Sequence, residues 1–353
     1  MPSTSRKHEI APSLIERLSS SIPMPYTIST FIIAAFLGPL GFYLADVLTY
    51  LDPAKAASAF INNSVTRYSL SQIIGNTVVY PAIIFYCAYM LRYMRRRISE
   101  IEEKMEAESP EWAGVIRDSF GGISSTGPAL AVTGVILLLS LPLIVFQVSN
   151  SQGLAQLYFA ITYPLFFFGA GSFIWMYVRS LWGLYKIGTQ PLNLKQYSED
   201  KLLGLGGFGR ISLTLTTVFL VAVFLAVYEF TVYASAMPVL LTISFSGALV
   251  LLGVCMFFLP LLNLHSRMIA ERDRLRYRNM KEVLQSVSPE ATEKGASTVN
   301  SLHRIVILEH EAEEIRTIPS WPFDIVVIRS LAGVVFGVVI SISAHILIVV
   351  LKI

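Results

Sequence analysis

The sequence predicts an all-α membrane protein with seven transmembrane helices. Of its 353 residues, 54% are hydrophobic and 14% are charged, and the mean hydropathy is +0.61. A soluble domain is rarely more than half apolar, so this composition indicates a multi-pass protein of the cell membrane. About 20 helical residues cross the hydrocarbon core, which is ~30 Å thick. Seven stretches reach that length, near 27–50, 70–93, 127–149, 155–178, 211–234, 238–262 and 325–351.

The positions of Lys and Arg predict how these spans are oriented. Basic residues concentrate in alternate connections between spans. The connections rich in Lys and Arg are 94–126, 179–210 and 263–324. The connections 150–154 and 235–237 carry no Lys or Arg, and 51–69 carries only Lys55 and Arg67. Because basic loops stay in the cytosol, the N-terminus is predicted to be cytosolic and the C-terminus external.

Four segments follow from this topology. They are a cytosolic N-terminal segment over 1–26, a six-helix transmembrane bundle over 27–262, a cytosolic helical anchor over 263–324 and a C-terminal pore-type helix over 325–353. The first 25 residues lack a short apolar run before a cleavage site, so we expect no cleaved signal peptide. The net charge of +3 is modest and gives no indication of nucleic-acid binding.

The anchor is predicted to contain two helices. Residues 261–288 include no Gly or Pro and carry charges of alternating sign, which is typical of a solvated helix. At 1.5 Å per residue that helix extends roughly 35 Å beyond the bilayer. A second helix over 298–317 ends before Pro319. Its apolar residues recur every three or four positions and include Leu302, Ile305, Leu308, Ala312 and Ile315. This stripe needs a partner, which is either the extension of helix six or another subunit.

The last span carries small residues on one face. They are spaced three, four, four and three apart: Ser330, Gly333, Gly337, Ser341 and Ala344. Gly333 and Gly337 form the small-xxx-small motif of closely packed membrane helices. One interpretation is tight packing within a single subunit. The other is that this face surrounds a symmetry axis and lines a narrow pore, with His345 near its outer mouth.

Polar and aromatic residues gather in the predicted outer halves of the spans. The set includes Asn76, Tyr80, Gln147, Tyr163, Tyr228 and Glu229. An aromatic belt at the membrane interface accounts for such a set. An outward-facing ligand pocket between helices accounts for it as well. The sequence leaves both interpretations open.

Motifs for catalysis are not found. The glycines of 204–209 follow no predicted strand and no P-loop Lys accompanies them, so nucleotide binding is not expected. His310 lacks the second His that a metalloprotease helix needs four positions away. Cys87 and Cys255 lie in apolar spans, where small buried hydrophobes are expected in place of a disulfide or a metal pair. We therefore expect neither an enzyme nor a cofactor or metal site.

The predicted topology resembles that of the seven-transmembrane ion channel superfamily, which includes the insect odorant and gustatory receptors. The shared features are seven spans, a cytosolic N-terminus, an external C-terminus, cytosolic helical extensions and a split last helix. The chain lacks the Thr-Tyr pair and the Gln-Phe of the insect last span, and it is compact, as in a minimal member. The resemblance implies that 298–317 is an intersubunit anchor and that 325–351 lines a tetrameric pore. The implied anchor residues are Leu302, Ile305, Leu308, Ile315 and Trp321.

The function expected from the sequence is a homotetrameric cation channel, with a small-molecule ligand as one means of gating. By the resemblance, such a ligand enters a pocket in the outer half of helices two to six. The alternative is a non-conducting membrane sensor or scaffold whose cytosolic helices bind a partner. A transporter ranks third, because neither an inverted repeat nor a helix broken at mid-membrane is evident. The expected partners are further copies of the chain, the lipid bilayer and a small molecule.

Overall fold

The structure is a computed structural model, and its described part consists of helices and short connections, with no strand. The described residues are 11–50, 54–55, 58, 78–108, 113–149, 154–190, 200–233, 239–287 and 298–351. The all-α prediction is confirmed. In chain order the helices are α1 (Leu14–Ser20), α2 (Tyr26–Leu37), α3 (Pro39–Tyr50), α4 (Tyr80–Glu108), α5 (Ala113–Phe120), α6 (Thr126–Ser149), α7 (Leu154–Thr189), α8 (Gly206–Tyr233), α9 (Val239–Phe258), α10 (Leu262–Val287), α11 (Thr298–Thr317) and α12 (Ile325–Leu351).

Helices occupy all seven predicted stretches wherever the structure describes them, and 70–77 lies outside the described residues. Four helical segments are long and apolar enough to cross a membrane, and a bent pair makes a fifth if its two helices form one span. The four are Gln156–Thr189, Gly206–Tyr228, Ser246–Gln285 and Ile325–Ala344. Thr126–Pro142 is a shorter apolar helix. This set of helices is that of a membrane protein.

The bent pair is α2 and α3, which meet at an angle of 47°. At Gly38 the backbone leaves the helical conformation with ψ −135°, and Pro39 begins the next helix. Proline supplies no N–H and disfavours helical geometry at the residue before it, which explains the break. The hydroxyl of Tyr158 donates a hydrogen bond of 2.6 Å to the Gly38 carbonyl. The helix over the first predicted stretch is therefore broken at Gly38, so this stretch is either one broken span or a re-entrant pair of short helices.

A second irregularity separates α9 from α10. Leu259–Leu261 form one 3₁₀ turn that contains Pro260. Just before it, the Phe257 carbonyl accepts a buried hydrogen bond of 2.7 Å from the Ser212 hydroxyl of α8. Helix α10 then continues to Val287, in agreement with the uninterrupted helix predicted from 261 to 288.

The N-terminal helix α1 is docked on α4 through a buried ion pair. Ser13 and Glu16 form a capping box, in which each side chain accepts from the other's backbone N–H. The free carboxylate oxygen of Glu16 lies 2.9 Å from Nε of Arg95, and the two side chains are only 3% and 7% exposed. The Tyr26 hydroxyl also donates to the Ala88 carbonyl of α4 at 2.6 Å. The segment assigned as cytosolic and N-terminal is thus packed against the bundle in its described part.

The main hydrophobic core joins α4, α7 and α8 to the start of α12. Its fully buried side chains include Leu91, Met94, Met176, Leu184, Phe208 and Phe257. A smaller cluster continues along α12, where Val338 and Ile342 pack on Leu220, Val223 and Val227 of α8 and on Val250 of α9. The last helix is therefore held by one flank, and this decides which of its faces stays open.

Candidate functional site: the open face of the last helix

The small-residue face of α12 is open in the folded chain. All five of its residues are exposed: Ser330, Gly333, Gly337, Ser341 and Ala344. A Cβ atom added at Gly333 or Gly337 would find no heavy atom within 4 Å among the described residues. Among the described residues, no other helix of the same subunit packs tightly on this face, which was the alternative the sequence left open. The side chain of His345 lies outside the described residues.

A different flank of α12 faces its own subunit. The residues Val327, Leu331, Val338 and Ile342 recur every four or seven positions and are all buried. At 100° per residue, their flank and the small-residue face are about 120° apart around the helix. Aliphatic packing on α8 and α9 thus sets the rotation of α12 and leaves the glycines uncovered.

The two serines of the open face hydrogen-bond along their own helix. Ser330 Oγ donates to the Val326 carbonyl and Ser341 Oγ to the Gly337 carbonyl, each at 2.8 Å. Each hydroxyl oxygen retains lone pairs that can accept from water or contact a cation. The face therefore offers oxygen atoms beside a strip of backbone without side chains.

An elbow of residues 318–324 joins α11 to α12 and is fixed by stacked rings. The His265 and Trp321 rings are stacked with centroids 4.0 Å apart, and His265 Nδ1 lies 2.7 Å from the Ser320 carbonyl. Phe323 packs on Phe257 at 5.3 Å between centroids. The Asp324 carboxylate then accepts from the Val327 N–H, which caps α12. Trp321 joins the elbow to α10 of its own chain, and its predicted part in an oligomer anchor stays a prediction.

Gly209 explains how closely α8 approaches this elbow. A Cβ at this position would overlap the Pro322 carbonyl and the Phe323 side chain. Only glycine permits that distance, so the 204–209 sequence has a packing role at this end. The elbow therefore lies between α8 and α10. Helix α8 also contacts α12, and α10 also contacts α11.

Two residues of the predicted anchor stripe are buried within the subunit. Leu308 and Ile315 of α11 are 4% and 3% exposed, and α11 packs against α10. The buried Asn279 amide of α10 donates a hydrogen bond of 3.0 Å to the Leu308 carbonyl. Ile305 is half-buried, and the Leu302 side chain lies outside the described residues. The extension of helix six is therefore a partner of Leu308 and Ile315 within the chain, and contact of the stripe with another subunit stays a prediction.

A second set of apolar residues on this α10–α11 hairpin is exposed. On α10, Tyr277, Met280 and Leu284 are 73%, 63% and 62% exposed, at helical spacings of three and four. On α11, Val306 and Ile307 are 59% and 46% exposed. We call these five residues the hairpin stripe. Sequence analysis missed it, although the spacing of Tyr277, Met280 and Leu284 within a charged helix was a signal that could have revealed it.

The predicted ligand-pocket residues are only partly brought together. Tyr80 packs on Phe166 of α7 with centroids 5.1 Å apart. Tyr163 stacks between Phe159 and Phe167 at 5.6 Å and 6.3 Å. Tyr228 is half-buried on α8. Asn76 and the side chains of Gln147 and Glu229 lie outside the described residues. Tyr163 belongs to an aromatic row along α7, on which Tyr80 of α4 packs, and the pocket stays a prediction.

Metal-binding clusters do not occur in the part of the chain that the structure describes: no three His, Cys, Asp or Glu side chains are grouped so that they could hold an ion. Cys87 is buried and Cys255 is exposed, and both are free thiols. No protein-family model, curated protein sequence or solved structure matches this chain. Functional inference therefore rests on α12, the elbow and the hairpin.

Proposed function

We propose that this protein is a homotetrameric cation channel of the cell membrane, in which α12 of each subunit lines the central pore. The observation that carries the proposal is the open small-residue face of α12. In this proposal the seven predicted stretches are seven spans, the N-terminus and the hairpin are cytosolic, and the C-terminus is external. A small-molecule ligand is one means of gating.

Membrane physics favours covering a face of this kind. Apolar side chains gain little from leaving lipid, so helices associate through close backbone approach at small residues. A Gly333–Gly337 surface that no helix of its own subunit covers is suited to contact with copies of itself or with water. Most homo-oligomers are closed rings, and a ring brings the same face of every subunit to one axis.

The hairpin favours the same kind of assembly. The exposed charges of α10 are mainly basic (Arg274, Arg276, Arg278 and Lys281, with Asp273), whereas those of α11 are on balance acidic (Glu309, Glu313 and Glu314, with Arg304 and Arg316). A head-to-tail contact sets α10 of one subunit against α11 of the next, so it joins opposite charges and covers the hairpin stripe. The hairpin stripe replaces Leu308 and Ile315 as the proposed set of intersubunit residues, because those two are already buried against α10.

Replacing Met280 and Ile307 together with Asp is expected to dissociate the oligomer into single chains. Both side chains are exposed within the subunit, so the hairpin itself should stay folded while the contact between subunits loses apolar area and gains repulsion. Mass measurement of the detergent-solubilised particle reads this out. Leu14 and Leu18 of α1, also exposed, are the matched pair, and their replacement with Asp should leave the mass unchanged. Intact oligomers in the Met280/Ile307 variant contradict the proposed contact.

Labelling of single cysteines tests the orientation. In a variant without Cys87 and Cys255, a cysteine at Asn150 should react with an impermeant reagent added to intact cells, whereas one at Ser297 should react only after lysis. Both positions lie outside the described residues and in predicted connections. The reverse pattern contradicts the orientation and, with it, the resemblance to the channel superfamily.

Replacing Ser341 with Asp is expected to raise cation over anion permeability roughly tenfold, equivalent to about 1.4 kcal/mol. Four carboxylates around an axis concentrate cations in the pore. Ser343 is the matched control, because it is also exposed but lies about 160° away around α12. Reversal potentials in reconstituted bilayers measure both variants. Equal effects of the two substitutions contradict a pore at the small-residue face.

The second candidate is a non-conducting sensor or scaffold, which the exposed hairpin stripe also favours. In that case a different protein covers Tyr277 and Met280, and α12 packs against lipid. If α2 and α3 form one span, the break at Gly38 removes one of the two arguments against a transporter. The channel remains the proposal, because a central position of α12 gives both the small-residue face and its serine hydroxyls a role.

A further inference from the structure

The cleft between α10 and α11 has the features of an anion-binding site. We propose that it binds a soluble, phosphate-bearing small molecule between Arg276 of α10 and Arg316 of α11. The proposal does not depend on ion conduction. It requires that the polar hairpin lies in water and that no neighbouring subunit covers the cleft, so it competes with the proposed contact between hairpins, which also uses Arg276 and Met280.

The cleft has the size and the lining that such a ligand needs. Its volume is about 350 Å³, and it is lined by Arg276, Asn279, Met280, Ala312, Ile315 and Arg316. One arginine comes from each helix, while Met280, Ala312 and Ile315 supply an apolar wall. A guanidinium group binds phosphate oxygens through two parallel hydrogen bonds. A phosphate group between two such arginines, with a small organic body against the apolar wall, fits this chemistry.

The charges beside the cleft are poorly neutralised. Within the described residues, Arg276 has no carboxylate within ion-pair distance, and Arg316 contacts only Glu313, at 3.5 Å with both side chains 70% exposed. Ion pairs that are this exposed contribute little stabilisation. One turn before Arg276, Nε of Arg272 is buried without a hydrogen-bond partner, and its nearest carboxylate, on Asp273, is 4.0 Å away. A phosphate carries about −1.5 to −2 charges at neutral pH, so its binding relieves the repulsion between these arginine charges.

Asn279 fixes the spacing of the two helices at this point. It is 7% exposed, lines the cleft, and donates its amide N–H to the Leu308 carbonyl of α11 at 3.0 Å. This bond ties α10 to α11 below the arginines. The cleft is thus held open by the packed hairpin and needs no large rearrangement to admit a ligand.

Distance from the membrane favours a soluble ligand over a lipid headgroup. Arg276 lies 14 residues beyond Leu262, the first residue of α10. At 1.5 Å per residue this is about 21 Å along the helix. A headgroup attached to a bilayer lipid would have to rise that far from the interface, whereas a soluble phosphate compound reaches the cleft directly.

Calorimetric titration of the detergent-solubilised full-length protein tests the site. The probes are inorganic pyrophosphate, a short-chain phosphatidylinositol bisphosphate and sodium chloride at matched ionic strength. Pyrophosphate should bind, and Arg276→Gln or Arg316→Gln should each weaken its binding at least tenfold. Arg274→Gln is the control, because Arg274 is 80% exposed and lies outside the cleft lining, so binding should be unchanged.

Three results would overturn the proposal. Pyrophosphate that does not bind, or binds equally well to the Arg276 and Arg316 variants, removes the site. Binding of the phosphoinositide alone shows that the ligand is a lipid. If either arginine variant fails to bind pyrophosphate and also loses the oligomer, the two arginines belong to a subunit contact. Because no conductance is measured, the pyrophosphate outcomes are separate from success or failure of the pore, whereas loss of the oligomer would support the proposed contact between hairpins.

Discussion

Replacing Gly337 with Leu is expected to abolish conductance in a reconstituted bilayer while the protein still assembles. Within one subunit the substitution meets no obstacle, because an added Cβ has no described heavy atom within 4 Å. Around an axis, the same substitution places four isobutyl groups in one narrow layer. Apolar residues at a constriction exclude water and stop ion flow. The measurement is single-channel or macroscopic current, with particle mass measured in parallel.

Gly247 offers a matched control for this substitution. It is also an exposed glycine with no neighbour within 4 Å, but it lies on α9. Gly247→Leu should therefore assemble and conduct like the wild type. If Gly337→Leu conducts normally, or if both variants lose current equally, then α12 does not line the pore through this face.

Replacing Arg95 with Met is expected to destabilise the fold by about 3 kcal/mol or more. Removing one member of a buried ion pair leaves the other charge buried without compensation, and such losses are about 3–5 kcal/mol. Glu16 is 3% exposed and has Arg95 Nε at 2.9 Å. Denaturant unfolding of the detergent-solubilised protein, followed by the α-helical circular dichroism signal, gives the change.

Two further variants separate the ion pair from general damage. The pair Arg97–Glu100 lies on the same helix, but its side chains are 44% and 61% exposed, so Arg97→Met should cost about 1 kcal/mol or less. Adding Glu16→Gln to Arg95→Met removes the buried charge and should recover part of the lost stability. A double variant no more stable than Arg95→Met, or an equal loss in Arg97→Met, contradicts a specific role of the buried pair in docking α1.

Hydrophobicity along the chain was sufficient to locate the helices. Each predicted stretch coincides with a helix in its described residues, because long apolar runs and Pro or Gly boundaries are local signals. The break at Gly38 was missed because averaging over 20 apolar residues hides the Gly38–Pro39 pair. Docking of α1 was missed as well, although Ser13 and Glu16 carry the capping-box spacing that predicts a helix start.

The sequence predicted which residues of α12 share a face, but could not predict what covers it. A face of small residues can pack inside a subunit, pack against another subunit or line a water-filled pore. The choice depends on Val338 and Ile342, whose partners lie on α8 and α9 about 90 to 120 residues earlier in the chain. The stacking of Trp321 on His265 was not predicted for a related reason, since His265 lies more than 50 residues away.

Electron cryomicroscopy of the protein in lipid nanodiscs tests the central claim most directly. We predict four copies around one axis, with α12 innermost, Gly333, Gly337 and Ser341 facing a water-filled path, and the α10–α11 hairpins in contact at one end. A single chain, or an oligomer in which α12 lies at the lipid-facing edge and lipid fills the axis, would contradict the channel.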